Sequence, residues 1–316
     1  MTDGRSAGAD RHVLDELPAT ERASTGARAL DDLPTLALLR QMNAEDARVA
    51  AAVARTLPAV ARAVDGVAAL VGAGGRLVLV GAGTSGRLAV IEAAELMPTF
   101  GVARGVVVAV MAGGADAMSD PIEGAEDDAA GGGAEMERLD VGPGDAVVGI
   151  SASGRTPFVL GAVAEAARRG ALTVGLCCDD PAPLSGAVAI AIHPLVGAEI
   201  IAGSTRLKAG TAQKLVLNML TTATMVRLGR VHGNLMVDVQ PTNAKLRRRA
   251  QRIVEHVTGR SGPAVEEALR ASGWSARVAI VMLARSVNEG DARRLLASGA
   301  SLDRLIAVTD EASEHA

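Results

Sequence analysis

Two apolar runs in this chain end on nearly the same words. Leu77–Val80 runs into Gly-Ala-Gly-Thr-Ser-Gly-Arg (Gly81–Arg87), and Ala146–Ile150 runs into Ser-Ala-Ser-Gly-Arg-Thr (Ser151–Thr156). Ser-Gly-Arg recurs at Ser85–Arg87 and at Ser153–Arg155. A short, continuously apolar run reads as a buried strand, and the small residues after it read as the turn into a helix. Such a turn presents unpaired backbone N–H groups and side-chain hydroxyls to an anion. Two of them in one chain point to a phosphate-bearing small molecule held between related half-units.

The pattern around the turns fixes the fold class. Apolar runs at Leu77–Val80, Gly105–Met111, Ala146–Ile150, Leu172–Cys177 and Val188–Ile192 alternate with helical patterns near Arg87–Leu96, Pro121–Leu139 and Pro157–Arg169. Continuous apolar strands between helices predict an α/β fold with an open parallel sheet covered on both faces. Ligands of such sheets bind beyond the C-terminal ends of the strands, where both turns stand. Residues 1 to about 30 read as a loose polar tail, with N-terminal helices over Thr35–Arg55 and Ala59–Val71. After a helical stretch from Arg206 to about Gly229, residues 243–316 read as a small appendage of short helices. The expected division is tail and first helix at 1–58, sugar-phosphate-binding domain at 59–242 and helical domain at 243–316.

Composition removes several function classes. The chain has 316 residues, a formal charge of −4 and only 1% aromatics. Phe100, Phe158 and Trp274 cannot build a stacking platform for nucleic acid, and the charge argues against general polyanion binding. The Arg247–Arg249 run reads as a solvated helix face. Met1–His12 lacks the apolar core of a signal peptide, and no apolar stretch reads as a membrane span. Cys177 and Cys178 are adjacent and form no disulfide framework, which fits a reducing, cytoplasmic setting.

The individual residues keep competing readings. Gly81, Gly83 and Gly86 satisfy Gly-x-Gly-x-x-Gly, but no acidic residue ends the next strand as a dinucleotide site requires. Thr84, Ser85, Gly86, Ser151, Ser153 and Thr156 are candidate phosphate ligands, although N-capping alone explains single hydroxyls. Arg87 and Arg155 suit either a phosphate or nearby acids. Glu92 and Glu95 share a helix face, as do Glu123 and Glu126 if that segment is helical.

Four segments resemble the N-acetylmuramic acid 6-phosphate etherases: Gly81–Gly101, Val148–Pro157, Val196–Lys214 and Gly233–Asn243. The similarity runs collinearly from about Thr35 to Asn243 and more weakly beyond. The block Gly203–Lys214 is shared with the related glucokinase regulatory protein, whereas other sugar isomerase (SIS) domains share only the two turns. The resemblance implies a SIS fold, a homodimer, a sugar-phosphate substrate, no cofactor and no metal. It places the catalytic carboxylates at Glu95 and Glu126, and adds Glu199 and Lys208 as candidate site residues, with a structural role equally open for Lys208. His232 stands where relatives often carry an aromatic, and the implied chemistry does not need it. Three rivals remain open: an aldose–ketose isomerase on the same domain, a non-catalytic sugar-phosphate sensor, and a DNA-binding sugar sensor, for which no helix-turn-helix segment is apparent before residue 70.

Overall fold

The computed structural model describes residues 17–22 and 30–307. Most of the stretch read as an N-terminal tail therefore lies outside the described residues. Residues 17–22 are an exception and are packed. Thr20 is fully buried, its carbonyl accepts from Gly203 N at 3.1 Å, and Ala19 N donates to Asp179 Oδ1 at 3.2 Å.

The chain groups into two compact units, one of residues 1–93 and 105–222, the other of residues 94–104 and 223–316. In the first unit, α1 (Thr35–Asp46), α2 (Val49–Ala54) and α3 (Leu57–Gly72) lead into β1 (Leu77–Gly81). Then follow α4 (Gly83–Phe100), β2 (Val107–Met111), α5 (Ala129–Arg138), β3 (Ala146–Ile150) and α6 (Pro157–Arg168). The unit continues through β4 (Leu172–Leu176), α7 (Pro183–Gly186), β5 (Ile190–Ile192) and α8 (Lys208–Arg227). Both α4 and α8 run on into the second unit.

The five strands form one parallel sheet in the order β2-β1-β3-β4-β5. All of β1 and β3 is buried, because α-helices cover both faces. The order reverses at β1, whose successor β2 lies on one side and β3 on the other. Connections therefore diverge between the C-terminal ends of β1 and β3, which is where an open α/β sheet binds ligands. Gly81 pairs with Ile150, so the two Ser-Gly-Arg turns leave the sheet at the same level.

Glycines let the covering helices approach closely. A Cβ on Gly86 would sit 2.8 Å from the Gly81 carbonyl oxygen, so the first turn folds tightly over its own strand. Cβ atoms on Gly132 and Gly161 would meet backbone oxygens at 2.0 Å and 1.9 Å, so α5 and α6 touch along their main chains.

In the second unit, α9 (Ala244–Thr258), α10 (Pro263–Ala271), α11 (Ala276–Arg285), α12 (Glu289–Ala297) and α13 (Leu302–Ala307) surround a core that includes Val237, Ile253, Leu269 and Ile280. Asn243, Ser275 and Asn288 cap the starts of α9, α11 and α12 with their side-chain oxygens. Asp238 joins two arginines here: Arg277 Nε at 2.5 Å and Arg230 Nη1 at 3.2 Å. Among the described residues, no helix is long and apolar enough to cross a membrane.

Candidate active site

Two hollows open at the strand ends. One of about 380 Å³ is lined by Thr84 and Ser85 of the first turn and by Ser151, Ser153 and Thr156 of the second. The other, of about 360 Å³, lies beside it and is lined by Arg87, Met111 and the segment from Pro121 to Glu126. Ala82, Gly83 and Glu126 line both. The structure therefore brings the two turns together and sets Glu126 between the hollow they form and its neighbour.

The hydroxyls are positioned by bonds of their own. Ser151 Oγ lies 2.8 Å from Thr156 Oγ1 and accepts from Gly154 N at 3.0 Å. Gly154 takes φ +68°, a left-handed backbone that lets the turn close without strain. Ser153 Oγ accepts from Arg155 N at 3.3 Å. Ser85, buried, donates to Gln213 Oε1 of α8 at 2.8 Å. Thr84 is half-buried and lines the hollow beside it. The starts of α4 and α6 add N–H groups without intrahelical partners, and their positive dipole ends favour an anion.

The two turn arginines are committed to the protein. Arg87 donates to the carbonyls of Ala117 at 2.8 Å and Met118 at 3.0 Å. Arg155 donates to Asp179 Oδ2 and to the Pro181 carbonyl, both at 3.2 Å. Arg155 thus pairs with an acid, one of its two sequence readings, whereas Arg87 holds backbone carbonyls; each also lines a hollow.

Glu126 is exposed and has no bonded partner among the described residues. It is not on a helix, as the spacing from Glu123 suggested. Gly124 takes φ +72° and starts a single 3-10 turn, Ala125–Asp127, ahead of α5. Glu92 and Glu95 also part company. Glu92 is buried and accepts from the Thr221 hydroxyl, whereas Glu95 is exposed and lines neither hollow.

Glu199 and Lys208 require a correction. Both are buried, at 0% and 2% exposure, and neither lines a hollow. Glu199 accepts the N–H groups of Lys208 at 3.0 Å and Ala209 at 2.9 Å, capping the start of α8 with negative charge. Burial pushes its carboxyl above the usual carboxylate range, against the pull of those two N–H bonds. Lys208 Nζ reaches Glu45 Oε2 of α1 at 2.7 Å, and the ammonium in turn holds the Glu45 carboxyl low. A buried ammonium survives only with such a partner. These residues tie α1 and the loop before α8 to the sheet domain.

Sequence reasoning missed Gln213, Glu21 and the use made of Arg87. Gln213 lies 128 residues from Ser85, and only the fold joins them. Glu21, from the stretch read as tail, lines the hollow between the turns. His232 Nδ1 lies 2.6 Å from Asp303 Oδ1 within the helical unit. Cys177 and Cys178 are unbridged and buried, and burial pushes both thiols up.

A parallel sheet with two hydroxyl-bearing turns at its switch point defines a sugar-phosphate-binding domain of the SIS type. Residues 128–223 match the SIS domain, and residues 59–167 match the glucokinase regulatory protein N-terminal SIS domain. Among curated relatives, the N-acetylmuramic acid 6-phosphate etherase of Rubrobacter xylanophilus is 56% identical over 280 residues, covering 89% of this chain and 93% of that protein. The one from Streptomyces coelicolor is 50% identical over 268 residues, covering 85% and 86%. A putative phosphosugar isomerase from Bacteroides fragilis is a looser structural likeness, with 19% identity and a TM-score of 0.47 over 63% of this chain and 98% of its own. The chain belongs to the N-acetylmuramic acid 6-phosphate etherase family.

Proposed function

We propose that the chain is a carbon–oxygen lyase that removes D-lactate from N-acetylmuramate 6-phosphate, with the phosphate held by the two turns and Glu126 acting on the sugar. The observation that carries this reading is the position of Glu126, a free carboxylate lining both the turn hollow and its neighbour. The hollow between the turns takes the 6-phosphate through Ser85, Ser151, Ser153, Thr156 and the helix N-termini. Phosphate is a handle here, because the bond that breaks lies elsewhere, and its binding energy positions the reacting carbons.

An unactivated ether resists hydrolysis because an alkoxide leaves poorly. In the open-chain sugar the C2 proton is α to the C1 aldehyde and so is acidic enough to remove. Glu126 takes that proton, the electron pair forms a C2–C3 double bond, and the C3–O bond breaks. A second carboxylate protonates the departing lactate oxygen. Water then adds at C3, giving N-acetylglucosamine 6-phosphate and D-lactate. Glu95 is the family's candidate for the second carboxylate, and the two roles are interchangeable in this scheme.

Glu95 stands ten residues beyond Ser85 on α4, about 15 Å along a helix axis. It is exposed and unbonded. The reading therefore includes a homodimer in which a second copy supplies Glu95. Support comes from α1, which fully buries none of its residues, and from Leu36, Leu39, Ile91 and Met219, which are 59%, 54%, 45% and 40% exposed. Two unbridged cysteines are consistent with the cytoplasm as its compartment.

The test is turnover of N-acetylmuramate 6-phosphate in water labelled with oxygen-18. Elimination followed by water addition puts the label at C3 of the sugar and none in the lactate. Label in the lactate would rule the scheme out. An isomerase would release no lactate at all.

A further inference from the structure

We propose that the C-terminal helical unit carries an anion site of its own, built for a small ligand with two or more phosphoryl groups. On α9, Lys245, Arg249, Arg252 and His256 follow one another at helical spacing and line one hollow of about 390 Å³. Leu235 and Ile253 complete its lining. None of these residues lines either hollow at the Ser-Gly-Arg turns.

The cations at this hollow face one another with no acid paired to them among the described residues. Five other arginines of the unit are spent on acids: Arg270 on Glu266 at 2.8 Å, Arg277 and Arg230 on Asp238, Arg293 on Glu289 and Arg294 on Asp291. Among the described residues, Lys245, Arg249, Arg252 and His256 have no ion pair. The only acid on α9, Glu255, accepts from Gln251 Nε2 at 2.9 Å. The arginine run itself divides, because Arg247 stacks over the Trp274 ring at 5.3 Å. Like charges one turn apart on a helix repel. Residues 223–316 hold fourteen Lys and Arg against ten Asp and Glu, in a chain whose formal charge is −4. Arg247 and Arg248 are exposed, as the reading of a solvated helix face expects, and of that run Arg249 alone lines the hollow.

Several features narrow the ligand. The volume suits a small molecule rather than a protein surface. Three permanently charged groups spread over two helical turns exceed what one phosphoryl group neutralises, so a chain of two or more matches them better. Leu235 and Ile253 offer an apolar wall to the organic part of such a ligand. A nucleic-acid strand fits less well, since Phe100 and Phe158 are buried and Trp274 is covered by Arg247.

The experiment is calorimetric titration of the full chain with inorganic phosphate, pyrophosphate, ATP and a short DNA duplex. The same titrations are run on a double variant, Arg249→Gln with Arg252→Gln, and on Lys245→Gln in case the first is poorly folded. Pyrophosphate and ATP should bind the unaltered chain at least tenfold more tightly than phosphate. The double variant should weaken that binding at least tenfold, and Lys245→Gln severalfold, with kcat and KM for lactate release unchanged. Pyrophosphate binding untouched by all of these substitutions overturns the proposal. So does phosphate binding as tight as pyrophosphate. Duplex binding tighter than ATP, and lost in the variants, would replace the small-ligand site with a nucleic-acid surface.

Discussion

The two Ser-Gly-Arg turns share three residues and a level on the sheet, yet they are wired differently. The second turn is largely closed on itself: Ser151 bonds Thr156 and Gly154 within six residues, and Arg155 anchors it to the loop after β4. The first turn is tied outward. Ser85 reaches Gln213 on α8, and Arg87 grips the carbonyls at 117 and 118, upstream of Glu126. On the proposed function the second turn is a preformed anion cradle. The first is a joint linking that cradle to the segment that carries the carboxylate. On that reading a repeated motif supplies binding at one copy and coupling to chemistry at the other.

The comparison is tested most severely at the acid itself. Glu126→Gln should lower kcat for lactate release by roughly 10²–10⁴-fold, the range of general acid–base assistance, with KM little changed. A variant with normal turnover would remove Glu126 from the chemistry. Glu95→Gln should lose activity on the same scale. Mixing the two inactive variants under conditions that exchange subunits should restore about a quarter of the activity, since each mixed dimer has one intact site. No recovery, with exchange demonstrated, would place both acids in one chain's site.

Smaller effects separate the turns. Ser151→Ala removes a hydroxyl from the cradle and should raise KM roughly 10–100-fold with kcat nearly constant, as for a hydrogen bond to a charged group. Ser85→Ala should raise KM less, because Ser85 must first give up Gln213. Arg87→Ala should act on kcat by about tenfold through the loosened approach to Glu126, a cost of about 1.4 kcal/mol in barrier. Arg155→Ala should act mainly on KM. If the two arginine variants have matching kinetic profiles, the turns are equivalent and the distinction between cradle and joint fails.

Much of this was legible in the sequence where the signal was local. The strands, the helices of the C-terminal unit and the turn positions follow from continuous apolar runs, 3.6-residue spacing and the small residues that break it. The apolar runs extend one or two residues past the strands at Gly105, Cys177 and Val188, where apolar residues continue beyond the ladder. The site was legible as a set of hydroxyls and two acids, but not as a wiring diagram. Gln213 beside Ser85 and Glu45 beside Lys208 are separated by more than a hundred residues and have no sequence signal without the fold. Glu126 was misplaced on a helix because three-residue spacing is also satisfied by a single 3-10 turn after a left-handed glycine. For Lys208 a site role and a structural role were equally open, because a lysine in a family-specific block can be a substrate ligand or half of a buried ion pair.

The least effect on activity is expected at the opposite end of the sheet, where both turns share one support. Asp145, just before β3, is 6% exposed and receives four bonds. They come from Arg76 Nε at 2.9 Å, Arg76 Nη2 at 2.7 Å, Arg76 N at 3.1 Å and Gly142 N at 3.0 Å. Arg76 immediately precedes β1, so this cluster locks the starts of the two strands whose far ends carry the turns. Burial alone would raise the Asp145 carboxyl, but the Arg76 guanidinium and the N–H donors outweigh it and hold it below the usual carboxylate range. A carboxyl depressed in the folded state stabilises the fold above its ordinary pKa, and that contribution is lost as pH falls through the depressed value. Asp145→Asn should therefore cost about 1–3 kcal/mol at pH 7 by urea denaturation. The gap from the unaltered chain should narrow as the pH is lowered below 4. Below the transition temperature, KM and kcat should stay within twofold, since the support acts on both turns alike. A selective loss of one turn's function, or a stability gap that does not change with pH, would show that Arg76 and Asp145 do not support the turns in this way.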